Sequence, residues 1–359
     1  MTRWRRLTSV AGLATGIAAA TAGAVVAAEK IAVGRVRLQP DPAANEPFGQ
    51  LRGRPITVLA DDGVPLHAEV SGPDDAPVTV VFCHGYSLSQ EVWHYQRLDL
   101  EQDMRLVLWD QRSHGRSGHS HPSHISIDQL GRDLAAVLAA TVPGGGSVVL
   151  VGHSMGGMTI MALADQQPEL FGTKIIGVVL ICTTSHMVDA TSWLPAPLRP
   201  LARLTGPALL RSSSRGRRAA LIERLRQTSG DLAFLSTRFI AFGDQAVSPA
   251  VVEFLERVIR ATPIDVVADF YLALVDHDKR RALAVLGKVP TVVIAAEEDR
   301  LIPARQVAEM AATIPGATLV RVRRAGHSVI LERPEAVTEE IADLIALALD
   351  QAASGRRPA

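Results

Sequence analysis

Residues 151–157 read Val-Gly-His-Ser-Met-Gly-Gly, and the chemistry of this chain starts at Ser154. A serine hydroxyl becomes a nucleophile only when a neighbouring base takes its proton. Gly-x-Ser-x-Gly placed where an apolar run ends and a helical pattern begins marks a very tight turn. The serine backbone is strained there, and a side chain at Gly152 or Gly156 would strike the adjoining strand or helix. Such a turn holds the hydroxyl above a sheet, at a helix N-terminus whose dipole favours developing negative charge. Eleven histidines compete to be the base. His327, in the run Arg324-Ala325-Gly326-His327-Ser328, follows the last strand candidate and precedes the final helix. In a parallel sheet that loop shares an edge with Ser154. The base in turn needs a carboxylate to fix its tautomer and stabilise the imidazolium. Asp299 follows the preceding strand candidate, with Glu297 and Glu298 beside it. Asp299 is favoured and Glu298 is its main rival. The reading is a relay of Ser154, His327 and Asp299 for acyl transfer.

The elements that must position these groups alternate along the chain. Strand candidates are 55–60, 66–70, 78–84, 105–110, 147–151, 175–182, 291–295 and 318–322. The first two are separated by Asp61-Asp62-Gly63, a hairpin signal. Val148-Val149-Leu150-Val151 is apolar throughout, as expected of a strand covered on both faces. Helical patterns fit between at 90–100, 127–140, 155–167, 305–314 and 335–349. From 185 to 286 no strand is convincing, while 218–227 and 251–259 look helical, and roughly 100 residues are too many for a loop. The predicted class is α/β, an eight-stranded, mostly parallel, doubly wound sheet with an inserted helical cap. Residues 54–184 and 287–350 form its core, 185–286 the cap and 351–359 a disordered tail.

Several motifs taken together resemble the α/β-hydrolase fold superfamily over 54–184 and 287–350. The order Ser154, Asp299, His327 is that of its triad. Phe82-Cys83-His84-Gly85-Tyr86 is similar to its His-Gly segment after the third strand. Asp110-Gln111-Arg112-Ser113-His114-Gly115-Arg116-Ser117 is similar to its Asp-x-Arg-Gly-x-Gly-x-Ser loop, with Ser113 in place of the usual glycine. Asp299-Arg300-Leu301-Ile302-Pro303 and the run from Gly326-His327 to Leu331-Glu332-Arg333-Pro334-Glu335 fit as well. The resemblance implies Asp299 rather than Glu298 as the acid. It also implies an oxyanion hole from the amides of Tyr86 and Met155, a close approach permitted by Gly85, and a structural His84. It implies a serine hydrolase of the esterase or lipase kind, with no cofactor and no metal. A cap rich in Leu, Phe and Ala points to a lipophilic acyl substrate. Perhydrolases and carbon–carbon bond hydrolases of the fold share the Gly-x-Ser-Met-Gly-Gly turn and are the alternative chemistry. Epoxide hydrolases and dehalogenases need a carboxylate where Ser154 stands. A weakly catalytic ligand-binding protein on a membrane is the competing class.

The chain has 359 residues, with 37 basic and 37 acidic side chains. That balance provides no field to gather a polyanion, so nucleic-acid binding is not expected. Two cysteines, Cys83 and Cys182, exclude a disulfide framework and a CxxC zinc site, and both read as buried thiols. His119, His121 and His124 cluster without an acidic metal partner and read as a solvated loop. Arg3, Arg5 and Arg6 precede an uncharged run from Leu7 to Ala28. Residues 1–30 therefore read as a membrane anchor or an export signal, with Arg5-Arg6 suiting the twin-arginine type, and a cytoplasmic protein is the alternative. Pro40, Pro42 and Pro47 make 31–53 a linker. In the cap, Arg199, Arg203, Arg211, Arg215, Arg217, Arg218, Arg224 and Arg226 suit either a solvated helix face or docking on anionic lipid.

Overall fold

A computed structural model describes residues 30–142, 144–187, 223–224 and 230–354. The strands are β1 (Arg54–Leu59), β2 (Pro65–Ser71), β3 (Thr79–Cys83), β4 (Arg105–Trp109), β5 (Val148–His153), β6 (Ile175–Ile181), β7 (Thr291–Ala296) and β8 (Thr318–Val322). They form one eight-stranded sheet in the order β1-β2-β4-β3-β5-β6-β7-β8. β1 and β2 pair antiparallel, as do β2 and β4, and the remaining pairs are parallel. Gly63, at φ +82°, closes the hairpin, with Ala60 N donating to Val64 O at 2.9 Å.

Every residue of β3, β4 and β5 is buried, because helices cover both faces of the sheet. On one face α2 (Ile127–Thr141), α3 (Met155–Gln166) and α7 (Ala304–Ala311) pack with Val81, Val148 and Leu150. On the other, α8 (Pro334–Ser354) packs with Val80, Phe82, Val149 and Val151, and α1 (His94–Leu100) sits against it. Successive strand residues thus feed opposite cores, as the period of two requires. The doubly wound sheet is as predicted.

Between β6 and β7 lie α4 (Gly230–Ala241), α5 (Pro249–Ala261) and α6 (Ile264–Val275). Among the described residues this insertion contains no strand, only an isolated bridge from His186 to Asp278. The pattern expected at 251–259 is the centre of α5.

Three local expectations need correction. The helix expected over 90–100 is split into a 3-10 turn, Gln90–Trp93, and α1; Ser89 Oγ caps the turn by accepting from Glu91 N. Residues 31–53 are not a free linker. A helix spans 30–37, Val33 is buried, and the Phe48 ring stacks on Phe254 at 4.6 Å. The tail is helical through Ser354, since Ala352 and Ala353 simply continue α8. Residues 1–29, 355–359 and all of the cap arginines except Arg224 lie outside the described residues. Among the described residues no helix is long and apolar enough to cross a membrane.

Candidate active site

β5 ends at His153, α3 begins at Met155, and Ser154 between them has φ 53° and ψ −118°. A side chain rarely adopts that backbone conformation, so the turn is clamped from several sides. Ser154 N donates to Ile181 O at 2.9 Å, and Thr183 Oγ1 donates to Ser154 O at 2.7 Å. Two glycines allow the close approach. A Cβ on Gly152 would lie 2.7 Å from the Gly156 backbone, and one on Gly156 would lie 2.0 Å from Cys83 O.

The loop after β8 brings His327 to the same place, with Nε2 3.0 Å from Ser154 Oγ. Its Nδ1 lies 2.8 Å from Asp299 Oδ2. The other oxygen, Asp299 Oδ1, accepts from Leu301 N at 2.8 Å and Ile302 N at 2.9 Å. With Nδ1–H donating to the carboxylate, Nε2 is left as the acceptor that faces the hydroxyl. Glu298 points elsewhere: its Oε2 accepts from Ala325 N at 2.8 Å. Glu297 stands at the end of β7 with its amide on Val322 O. The three residues of the expected relay are therefore one hydrogen-bonded chain, and the rival carboxylate braces the loop that carries His327.

Gly85 lies directly against the nucleophile, since a Cβ there would be 3.3 Å from Ser154 Cβ. Next to it is Tyr86, whose Oη donates to Val267 O on α6 and so ties the insertion to this loop. Met155 N is the first amide of α3, a group without an intrahelical partner. His84 is fully buried and held neutral, its pKa pushed down by burial to about 4. Its Nε2 accepts from Gln111 N at 2.9 Å, so Nδ1–H donates to Gly85 O at 2.7 Å. That ring fastens the Gly85 loop to the loop after β4. In the latter, Ser113 takes φ +64°, the conformation its missing glycine would supply, and its Oγ accepts from Ser120 N at 2.9 Å. Arg112, fully buried, sits between Asp133 (2.6 Å) and Asp62 (2.7 Å).

Above Ser154 opens a cavity of about 430 Å³, lined by Leu88, Met158, Ile240, Leu255, Leu274 and Leu301 among others. No Asp, Glu, Lys or Arg is among its described lining residues. Elsewhere, His124 Nδ1 lies 3.0 Å from Asp62, and His121 contacts Ser123 at 2.7 Å. Among the described residues no group of three His, Cys, Asp or Glu side chains is placed to hold a metal. Cys83, at the end of β3, and Cys182, just after β6, are free, buried thiols; both strands neighbour β5 and not each other. Burial pushes both thiol pKa values up, Cys83 to about 12.

Residues 80–340 match a family model described as the alpha/beta hydrolase family. The chain belongs to that family. It is similar to a bifunctional esterase/perhydrolase of Acinetobacter calcoaceticus, 41% identical over 31% of this chain and 40% of that protein. The chain thus spans well under two thirds of that relative. It is 27% identical to a pimeloyl-[acyl-carrier protein] methyl ester esterase of Xanthomonas campestris over 78% of this chain and 99% of the relative. Among solved structures, a thermophilic esterase from Thermogutta terrifontis superposes with a TM-score of 0.65, at 23% identity, covering 82% of this chain and 98% of the other. That likeness shows the fold.

In this α/β hydrolase two further residues shape the site without having been singled out in the sequence. His153, fully buried, has Nε2 2.8 Å from His327 O, so the residue before the nucleophile holds the backbone of the base. Burial pushes its pKa down to about 3. The variable position inside Gly-x-Ser-x-Gly carried no signal of that contact. Glu332 accepts from Gly326 N at 2.6 Å and Gly243 N at 2.9 Å, and from Asp244 N, joining the His327 loop to the insertion. Its place in the run Leu331-Glu332-Arg333-Pro334-Glu335 gives no sign of those contacts.

Proposed function

We propose that this α/β hydrolase is a serine esterase acting on an uncharged, lipophilic acyl ester. The observation that carries the reading is the unbroken hydrogen-bonded line from Ser154 through His327 to Asp299, opening on a cavity whose described lining carries no Asp, Glu, Lys or Arg. As Ser154 Oγ bonds to the ester carbonyl carbon, His327 Nε2 takes its proton. The carbonyl electron pair moves onto oxygen, where the amides of Tyr86 and Met155 receive it. Collapse of that intermediate breaks the bond to the alcohol, which leaves with the proton from His327. Water then attacks the acyl-enzyme by the same steps and releases the acid. Asp299 keeps the imidazole in the working tautomer throughout.

A fluorophosphonate probe is expected to label the wild-type protein and to leave Ser154→Ala unlabelled. The same variant should lose ester turnover by roughly 10⁴- to 10⁶-fold. Labelling that persists in the variant removes Ser154 from the mechanism. A second reading, perhydrolysis, is favoured by the similarity to an esterase/perhydrolase. In it, hydrogen peroxide replaces water as the attacker of the acyl-enzyme and the product is a peracid. Peracid formation from an ester and peroxide, measured beside ester hydrolysis, separates the two.

The residues 1–30 are proposed as an anchor or export signal that places the catalytic body outside the cytoplasm. The mass of the mature N-terminus distinguishes a retained segment, a cleaved one and a cytoplasmic protein.

A further inference from the structure

Four large apolar side chains stand in solvent on two touching helices. Ile31 (57% exposed) and Leu38 (87%) lie on or just beyond the helix over 30–37, and Leu232 (57%) and Phe239 (60%) lie on α4. Each pair is spaced by seven residues, which places its members along one helix face. The helices are joined through Arg37, whose guanidinium is 4.0 Å from Asp231 and 5.7 Å from the Phe234 ring. Cations frame the face. Lys30 and Arg35 are exposed on the first helix, and the Arg300 guanidinium lies 4.4 Å over the Phe239 ring. The nearby acids Asp231 and Glu253 are paired with Arg37. Isolated exposed apolar residues are ordinary. Paired rows of them flanked by Lys and Arg are what an anionic lipid surface binds.

The preceding chain points to the same occupant. The helix over 30–37 follows, after Glu29, an uncharged run of 22 residues, Leu7 to Ala28, with Arg3, Arg5 and Arg6 ahead of it. A run of about 20 uncharged residues is the length that crossing the roughly 30 Å of a bilayer core requires. α4 also carries Ser236, Thr237 and Ile240 into the cavity above Ser154. One helix therefore meets both the exposed face and the acyl site.

We propose that Ile31, Leu38, Leu232 and Phe239 form a docking face for an anionic bilayer, which supplies the lipophilic ester to the cavity. The substrate half of this inference rests on the esterase reading above; the docking half does not. The test uses the full chain reconstituted in vesicles of phosphatidylcholine and phosphatidylglycerol, with nitroxide labels at L232C, F239C and L347C in turn. Leu347 is an exposed apolar control (47%) on α8, whose neighbours Leu344 and Ala348 pack on Gly177 near the opposite edge of the sheet. Labels at 232 and 239 should collide preferentially with oxygen dissolved in lipid, and the label at 347 with an aqueous nickel chelate. Equal aqueous access at all three sites overturns the proposal. So does broadening between labels on two copies, which would make the face a protein dimer contact.

The double variant L232D/F239D should lose roughly tenfold or more in turnover of a long-chain ester held in the vesicles. Its turnover of a dissolved short-chain p-nitrophenyl ester should not change. Unchanged turnover of the vesicle-borne ester overturns the supply step. If the wild type turns over neither ester, the esterase reading falls, and the label measurement still decides docking.

Discussion

At the level of single residues, the site depends on which nitrogen or oxygen faces which partner. The sequence led to Ser154 and His327 through their places after buried strands. It favoured Asp299 with Glu298, one residue away, as the main rival, and spacing alone does not separate the two. The physical difference is in where the carboxylates end: Asp299 Oδ2 meets His327 Nδ1 at 2.8 Å, and Glu298 meets the Ala325 amide. No single-residue shift in a loop after a strand can be resolved from residue type alone. His153 was less legible still, because its role is a contact with a backbone carbonyl far along the chain. The expected consequence is specific. Replacing His153 with Leu removes the donor to His327 O and leaves a buried carbonyl unsatisfied, a cost of about 1–3 kcal/mol. The kcat for ester hydrolysis should fall about tenfold or more. His153→Gln, whose amide nitrogen reaches a similar distance, should recover much of the loss. Equal activity in both variants and the wild type would show that His327 is held without this bond.

Among elements, strands and helices were readable because the central strands β3, β4 and β5 are buried on both faces and read as nearly continuous apolar runs. The parts that escaped depend on distant partners. Pro40, Pro42 and Pro47 suggest a linker, yet Phe48 finds Phe254 on α5 and an edge-on contact with Tyr95 on α1. α6 escaped for another reason: apart from Asp265 and Asp269 it is apolar all round, which blunts its helical periodicity. The loop after β4 illustrates how an element can be recognised while its anchor is missed. Its Asp-x-Arg pattern was visible, whereas the buried pairing of Arg112 with Asp133 on α2 and Asp62 in the β1–β2 hairpin was not. That arginine joins three separate elements. Asp133→Leu leaves the buried guanidinium with Asp62 as its one acidic partner beside Ser120 Oγ, and breaking such a pair costs about 3–5 kcal/mol. Urea unfolding of the variant should show a lower midpoint with an unchanged slope. A midpoint equal to the wild type would mean that Asp62 and the surrounding water replace Asp133 without loss.

For the molecule as a whole, net charge says little, because acids and bases balance, but buried histidines say a good deal. Burial pushes five of them down from the usual 6.5: His94, and much further a set of four, His84 and His277 to about 4 and His114 and His153 to about 3. They are neutral in the folded protein at neutral pH and become protonated when the chain unfolds below the ordinary histidine value. The unfolded state then binds more protons, so stability falls as the pH drops. The contribution is fully present above about pH 6.5 and is lost progressively toward pH 3–4, where the folded rings also titrate. Within that window each fully responding ring costs about 1.4 kcal/mol per pH unit, and four together roughly 6 kcal/mol per pH unit. Asp110, Asp133 and Glu332 act in the opposite sense, since burial raises their pKa values and their protonation favours the fold. Thermal denaturation between about pH 7.5 and pH 5 should therefore show a steadily falling Tm. Because His277 lies outside the Ser154–His327–Asp299 line, His277→Gln should flatten that slope while leaving the pH dependence of ester hydrolysis in place. A Tm constant across the interval would mean that the four rings are solvated in the fold, contrary to their burial.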